Sequence, residues 1–332
     1  MVLNERQQLE HKSRMLSGGF IKDDCKYFDS KSYKKLKETM VNTLKVDNRN
    51  QIISKFTLYP KSKIISDGKY VINKHFRNID LKVNYTNCED FESVIFARFG
   101  KNPKPEEHDN IINYINNNID RINVTDIPVD IQLFCTLDGR TIHTWFYPID
   151  VVDENYFHNL PYCINSILLK GDCNDVLSTT YVHEMMHALT SRNKGSIENY
   201  LLNEMIPIFM EKVAAIDISN DSNLVDYVIY DRLLETKLYM MENEYSIFKD
   251  QDALGVLERN KYILSSVYAT GLFNLYKNGD DNKKNNINNS IRELIKGNTT
   301  VDNILKLYNI DLDDCTEIMK KQCKVYTKKY LN

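Results

Sequence analysis

The first 45 residues carry apolar side chains at the spacing of a helix. Leu36, Met40 and Leu44 follow one another at intervals of four, which places them on one face of a helix that opens near Asp29-Ser30. An earlier Gly-Gly pair divides this region into two helical pieces. Residues 1–45 are therefore predicted to form a helical N-terminal arm, which either docks on the rest of the chain or covers a cleft like a propeptide.

Alternating and β-branched residues dominate the segment from residue 46 to residue 170. The runs KIIS-DG-KYVI at 63–72 and IQLFCTL-DG-RTIHTWFY at 131–147 both contain Asp-Gly, which favours the positive φ angles of hairpin turns. Between these runs, residues 106–122 keep apolar positions at helical spacing. The segment is therefore predicted to be a mixed lobe that contains two hairpins and a helix.

The pattern from residue 171 to residue 332 is helical almost throughout. Long helices are predicted over Val225 to Phe248 and over Asn260 to Tyr276, and the polar stretch from Lys277 to Ser290 is predicted to be a solvated connector or helix start. The fold class that follows is α+β, with a sheet-bearing N-terminal lobe and a mostly helical C-terminal lobe.

Charge and composition narrow the range of partners. The chain has 332 residues, a formal net charge of -3 and no long block of Lys and Arg free of acids, so neither nucleic acid nor a membrane is an expected partner. The N-terminal sequence lacks the apolar stretch of a secretion signal, and no apolar run is long enough to span a membrane, which predicts a cytoplasmic location. The seven irregularly spaced cysteines predict reduced thiols rather than disulfides. The oligomeric state stays open.

The segment DVLSTTYVHEMMHALTSR carries the candidate chemistry. A helix capped by Asn174 or Asp175 is predicted here, and it is apolar nearly all round, as is typical of a buried helix. His183 and His187 lie four residues apart, so both imidazoles can reach one ion, while Glu184 lies one position round the helix. The expected metal is one Zn²⁺ ion, which in catalytic sites keeps a position for water. Glu184 is then the predicted base that takes a proton from this water.

Two acids in the next apolar segment are candidates to complete the site. SIENYLLNEMIPIFMEKVAA is predicted to be a helix that opens at Ser196, and Glu204 and Glu211 lie on its inward-facing stripe. Spacing alone does not separate the two, but Pro207 is expected to bend the helix beside Glu204. Glu204 is therefore the predicted third ligand. Glu211 and Asp175 are predicted to orient the metal-binding histidines.

Three blocks in the last part of the chain resemble the oligoendopeptidase F and thimet oligopeptidase family of zinc peptidases. The first runs from Pro161 through LKGDCNDV into the His-Glu-x-x-His helix, the second is Glu204-x-x-Pro-x-x-x-Glu211, and the third is YILSSVYATGLFNLYKNG followed by YNIDLDD. The resemblance covers residues 161–330 and implies a zincin-like fold, with the active-site helix between two lobes. It also implies that Glu204 is the third zinc ligand and that Tyr268 donates a hydrogen bond to the tetrahedral oxyanion.

The chain departs from the family's pattern at several positions. Met186 stands where the family usually has glycine, and Thr190 stands where it usually has a further histidine. The stretch from Asp250 to Lys261 lacks the histidine that relatives carry before the tyrosine. The chain is also about half the usual family length, and its first 160 residues show no likeness to the family. The resemblance therefore bears on zinc binding and not on the details of substrate handling.

An apolar run from Ile164 to Leu169 comes just before the active-site helix. An edge strand at this place can pair with an extended substrate and hold the scissile bond over the metal, although an ordinary buried strand has the same apolar pattern. The resemblance favours the edge strand. The predicted substrate-binding residues are accordingly Ile164, Asn165, Ser166 and Ile167.

The function predicted from these residues is that of a zinc-dependent metallopeptidase, which cuts peptides by water attack without a covalent intermediate. The expected substrate is a peptide or an unfolded polypeptide. One alternative is a dedicated endopeptidase with a single protein target, recognised by the unfamiliar N-terminal lobe. Another is an inactive binding module stabilised by zinc. The presence of Glu184 argues against that module, because a structural zinc site needs ligands but no base.

Overall fold

The computed structural model describes residues 26–45, 47–77, 79–86, 127–136, 142–146, 164–170, 174–190, 201–219, 222–246 and 253–330. The strands within these ranges are β1 (Ile79–Thr86), β2 (Ile127–Thr136), β3 (Ile142–Phe146) and β4 (Ile164–Lys170). The helices are α1 (Lys31–Thr43), α2 (Arg49–Ile53), α3 (Lys61–His75), α4 (Asp175–Thr190), α5 (Met205–Ile218), α6 (Ser222–Ser246), α7 (Ala253–Lys277), α8 (Asp281–Ile295), α9 (Val301–Leu307) and α10 (Leu312–Tyr330).

The two helices α4 and α5 lie at the centre of the fold and pack against each other. Helix α3 covers another side of α4, while α6 and α7 pack on α5. Every residue from Met205 to Ala215 is buried. A charged side chain in such a stretch has no solvent to face, so it needs a partner inside the protein. The buried apolar residues of α4 are Leu177, Tyr181, Val182, Met185, Met186 and Leu189.

Helix α3 occupies the residues that the sequence predicted as the first hairpin. Its buried residues Ile64, Val71 and Ile72 lie with Gly68 at the spacing of one helical face. A Cβ atom at Gly68 would approach the ring of Tyr181 on α4 to 2.5 Å. Gly68 therefore allows α3 to pack closely on α4, and the prediction that Asp-Gly forms a turn here is wrong.

The strands form a sheet in the order β1, β2, β4, β3. Neighbours β1 and β2 are parallel, as are β2 and β4, whereas β3 runs antiparallel to β4. Ile164 of β4 is paired with Asp130 on one side and with Phe146 on the other. The predicted hairpin at 131–147 is therefore wrong in its pairing, because β4 lies between the two strands that were expected to pair directly.

The predicted α+β fold class is wrong, because the described structure is mostly helical. The N-terminal part was expected to form a sheet-bearing lobe, with the active-site helix between it and a helical lobe. Instead α1 packs on α10 and α3 packs on α4, so helices from both ends of the chain share one apolar core. The prediction failed because the apolar residues of 63–72 fit a helical face as well as alternating strands.

Helix α1 confirms the helix predicted to open near Ser30. The Oγ atom of Ser30 accepts a hydrogen bond from the backbone N–H of Tyr33 at 3.1 Å, which caps the helix. Tyr33, Leu36 and Met40 are buried, and α1 packs on α6 and α10. The helix is thus held by its apolar face, as the spacing indicated.

The C-terminal helices also follow the sequence pattern. Helix α7 covers the predicted stretch from Asn260 to Tyr276, and the polar stretch after Lys277 contains the start of α8. Helix α6 covers the other predicted stretch from Val225 as far as Ser246, and the last two residues of that stretch lie outside the described residues. The carboxylate of Asp280 caps α8 by accepting a hydrogen bond from the backbone N–H of Lys283 at 2.7 Å. The predicted break at residues 18–19 and the predicted helix at 106–122 lie outside the described residues. Among the helices of the described ranges, none has the length and apolar character needed to cross a membrane.

Candidate metal centre

Helix α4, which carries the two histidines, begins where the sequence predicted. The side-chain oxygen of Asn174 accepts hydrogen bonds from the backbone N–H groups of Val176 at 3.0 Å and Leu177 at 3.2 Å, so Asn174 is the N-cap. His183 and His187 follow on the face of α4 that meets the start of α5. Both side chains are buried.

Two imidazoles and one carboxylate converge at this place. The Nε2 atom of His187 lies 3.2 Å from Nε2 of His183 and 2.9 Å from Oε2 of Glu204. The Nε2 atom of His183 lies 3.3 Å from the same carboxylate oxygen. All three residues are buried, and their ligand atoms form a compact triangle. The described part of the chain therefore contains a buried His-His-Glu group that can hold a metal ion.

The separations within this triangle suit a small divalent cation. Atoms bound at about 2.0 to 2.1 Å in a tetrahedral site lie about 3.3 Å apart, close to the distances between these three atoms. Hydrogen bonds alone satisfy the group poorly, because two N–H groups that both donate to Oε2 of Glu204 bring their protons close together. A cation can accept a lone pair from each of the three atoms. The donor set of two nitrogens and one oxygen is therefore one that can bind a metal ion.

Burial and neighbouring charges set the protonation of the three ligands. Burial disfavours a charged His183, but the carboxylates of Glu204 and Glu211 outweigh it and raise the pKa of His183 to about 9. Burial lowers the pKa of His187. Burial would raise the pKa of Glu204, yet the adjacent histidines and Lys261 hold it well below the usual value. Glu204 is therefore a carboxylate, and His187 has a lone pair to offer at neutral pH. His183 must release its proton when a metal binds.

Glu184, the predicted base, is buried next to His183. Burial is the largest cause that raises the pKa of Glu184 to about 8, and the carboxylates of Glu204 and Glu211 act in the same direction. A carboxyl group with a pKa near neutrality can both accept and release a proton under ordinary conditions. The environment of Glu184 thus suits proton transfer.

Glu211 lies beside His183, but its main partner is an arginine that the sequence analysis missed. The Nε atom of Arg232 donates to Oε2 of Glu211 at 2.7 Å, whereas Nδ1 of His183 lies 3.6 Å from that oxygen, too far for a hydrogen bond. Nη2 of Arg232 lies 3.3 Å from Nδ1 of His183, and its Nη1 donates to Glu235 at 2.5 Å. Arg232 of α6 is therefore the group that links the carboxylate and the outer side of the imidazole.

Lys261 of α7 is a second cation that the sequence analysis missed. Its Nζ atom lies 3.2 Å from Oε1 of Glu204, on the carboxylate oxygen that does not face the histidines. The sequence did contain an indication that Arg232 is buried, because this arginine interrupts the apolar stretch YVIYDRLLE of a predicted helix. Lys261 gave no such signal, because only the packing of α7 brings it to Glu204.

Asp175 is placed away from the histidines that it was predicted to orient. It is the first residue of α4, and eight residues of helix separate it from His183 by about 12 Å along the axis. Its carboxylate lies 3.4 Å from Nζ of Lys63, which also pairs with Asp67 at 2.8 Å. The prediction for Asp175 is therefore wrong, and its contact instead ties α3 to the start of α4.

Pro207 lies in the first turn of α5 and does not bend a longer helix. Helix α5 begins at Met205, and the predicted starting residue, Ser196, lies outside the described residues. The carbonyl of Glu204 accepts the first helical hydrogen bond, from the backbone N–H of Ile208 at 2.9 Å. N–H groups in a first turn have no helical partner, so a proline is tolerated here. The predicted bend is thus wrong, although Glu204 is held at the end of a helix.

The strand β4, which was predicted to bind substrate, is not an edge strand. It pairs with β2 on one side and with β3 on the other, so both of its backbone edges are occupied. An added peptide strand needs an open edge. The edge-strand prediction is therefore wrong for the four residues it named, which are Ile164, Asn165, Ser166 and Ile167.

Tyr268 lies on α7, two turns after Lys261. This spacing puts it on the same side of the helix and about 10 Å further along the axis. Its side chain is partly buried and packs against the apolar core. The contact of Tyr268 with an oxyanion stays a prediction.

Comparison of the chain with protein-family models, with curated proteins and with solved structures gives no match. The likeness to the oligopeptidase family thus rests on the motif residues themselves. Of these, His183, His187 and Glu204 meet at one point between α4 and α5.

Proposed function

We propose that this protein is a zinc-dependent metallopeptidase. The observation that carries the proposal is the convergence of His183, His187 and Glu204 at one point, with Glu184 buried next to His183. Two imidazoles and a carboxylate are the ligands of several zinc hydrolases, in which a fourth position remains for water or substrate. The resemblance to oligoendopeptidase F and thimet oligopeptidase supports the same assignment.

His183, His187 and Glu204 would hold the ion in this proposal. Zinc, when bound, polarises a peptide carbonyl and lowers the pKa of water at the site. Glu184 is rotated by one residue from His183 on α4, so its carboxylate is offset from the face that carries the two ligands. It is the group that accepts a proton from the attacking water and passes it to the leaving amine.

The decisive experiment separates metal binding from hydrolysis. Purified wild-type protein is expected to hold one zinc ion per chain by elemental analysis and to cleave peptides in a random library. Glu184→Gln should keep the zinc and lose about 100- to 10,000-fold in cleavage rate, because it removes the base but no ligand. Glu242→Gln on the exposed side of α6 is the matched control and should retain full activity.

Each result bears on a different part of the proposal. Wild-type protein that cannot hold a stoichiometric metal would overturn it, and so would a Glu184→Gln variant that cleaves at the wild-type rate. Broad cleavage of the library favours an oligopeptidase. A zinc-loaded protein that cleaves nothing in the library is expected of a dedicated endopeptidase or of an inactive binding module, and it contradicts the oligopeptidase assignment.

A further inference from the structure

The two carboxylate oxygens of Glu204 lie beside different kinds of partner. Its Oε2 atom lies 2.9 Å and 3.3 Å from the Nε2 atoms of His187 and His183, respectively. Its Oε1 atom lies 3.2 Å from Nζ of Lys261. One oxygen therefore faces the candidate metal position, and the other is engaged by a cation.

Lys261 is held in this place by more than one contact. Its side chain is only 12% exposed, and its Nζ atom lies 4.7 Å from the centre of the ring of Tyr262. The ring of Tyr262 stacks on that of Tyr239 from α6, with ring centres 5.2 Å apart. A cation above an aromatic ring is attracted to its face, so the ammonium group is fixed from two sides.

A carboxylate can bind a metal through one oxygen or through both. Binding through both raises the coordination number, since the second oxygen takes up a position that is otherwise open. An ammonium group that engages Oε1 opposes this rotation, because the rotation breaks a buried ion pair. The partner of Oε1 thus controls how many positions around the ion the protein occupies.

We propose that Lys261 is a positioning residue that keeps Glu204 as a single-oxygen metal ligand through Oε2. This inference rests on the proposed function, since it requires that the His-His-Glu group binds metal. The proposal gives a reason for a lysine beside a metal site. The ammonium group of Lys261 repels the metal ion, but it also prevents the second oxygen of Glu204 from filling a coordination position.

Cobalt(II) tests the proposal without any measurement of activity. Co²⁺ replaces zinc in many such sites, and its visible absorption is stronger at four ligands than at five or six. Spectra are recorded at saturating Co²⁺, so that a change in affinity does not alter the intensity. Wild-type protein is expected to give the strong four-coordinate spectrum, and Lys261→Met should lose intensity because Glu204 becomes free to bind through both oxygens.

Three further variants make the result specific. Lys261→Arg keeps a charged donor and should retain the strong spectrum. Lys277→Met removes an exposed lysine from the same helix and should leave the spectrum unchanged. If Lys261→Met does not fold, as judged by far-UV circular dichroism, Lys261→Gln is used, and the same loss of intensity is expected because its shorter neutral amide cannot replace the ammonium group.

The failure of this proposal can be told from the failure of the proposed function. Lys261→Met with the wild-type intensity would overturn the positioning role while leaving the metal site intact. Wild-type protein that binds no stoichiometric Co²⁺ would instead remove the metal site, and with it both proposals.

Discussion

Two regions of the molecule differ in what they bury. The contact between α4 and α5 buries charged groups, whereas the C-terminal end buries mainly apolar side chains. At the α4–α5 contact, the buried carboxylates of Glu211 and Glu204 are compensated by Arg232 of α6 and Lys261 of α7, respectively. At the C-terminal end, α8 buries apolar residues such as Ile287 and Ile291 along one face. Burial of apolar side chains stabilises the folded state. Burial of a charge stabilises it only if the attraction to a partner exceeds the free energy lost when the charge leaves water. The central charges therefore depend on their partners for stability in a way that the apolar C-terminal end does not.

The largest effect on stability is expected from breaking the arginine contact at the centre. Arg232→Met leaves Glu211 buried without its 2.7 Å partner, which should lower the free energy of unfolding by about 3 to 5 kcal/mol. Chemical denaturation measures this loss. The double variant Arg232→Met/Glu211→Gln removes both charges and should be less destabilised than Arg232→Met alone; an equal or greater loss would show that the pair is not coupled.

A smaller effect is expected at the C-terminal end, and it should leave the metal site unaffected. Ile291→Ala removes a fully buried side chain from α8 and should cost about 2 to 5 kcal/mol of unfolding free energy through the cavity it leaves. Zinc content should stay at the wild-type level. Asn289→Ala on the exposed side of the same helix is the control and should change stability by less than about 0.5 kcal/mol. Loss of zinc from the Ile291 variant would contradict the separation of the two regions.

The smallest effect, measured over one pH unit, concerns Lys212, a buried lysine of α5. Its Nζ atom donates to Oγ1 of Thr270 at 3.0 Å, and burial lowers the pKa of Lys212 from 10.5 to about 7. Between these two pH values the unfolded chain holds a proton that the folded chain lacks, so stability should rise with pH. The slope from this group is at most about 1.4 kcal/mol per pH unit.

Lys212→Met tests this pH dependence. The variant should be more stable than wild type at pH 7, and its unfolding free energy should rise less steeply from pH 7 to higher values. Thermal or chemical unfolding at a series of pH values gives both quantities. An unchanged slope would mean that Lys212 is already neutral, or equally charged, in both states.

Some elements could be predicted from local sequence because their chemistry is local. The spacing of Leu36 and Met40 and the cap at Ser30 are complete within a few residues, and α1 forms as they indicate. The same holds for α4, where Asn174 caps the helix and His183 and His187 lie one turn apart. Helical periodicity fixes which of these side chains share a face, whatever the rest of the chain does.

Other predictions failed where local sequence allows two structures. Asp-Gly suits a hairpin turn, but Gly68 is needed for the close approach of α3 to Tyr181. The strands at 127–136 and 142–146 have the expected character, but local pattern does not state which strand lies next to which. Pairing is decided by the whole sheet, and it is this pairing that closes both edges of β4.

The sequence by itself determined that two histidines share one face of a buried helix and that an acid follows on the next apolar segment. Only the tertiary structure decided that Oε2 of Glu204 faces the imidazoles and that Oε1 lies beside Lys261. It also decided that Arg232 forms an ion pair with Glu211. The reason is physical, since helical spacing acts over a few residues. The partner of a buried charge depends instead on which distant helix packs beside it.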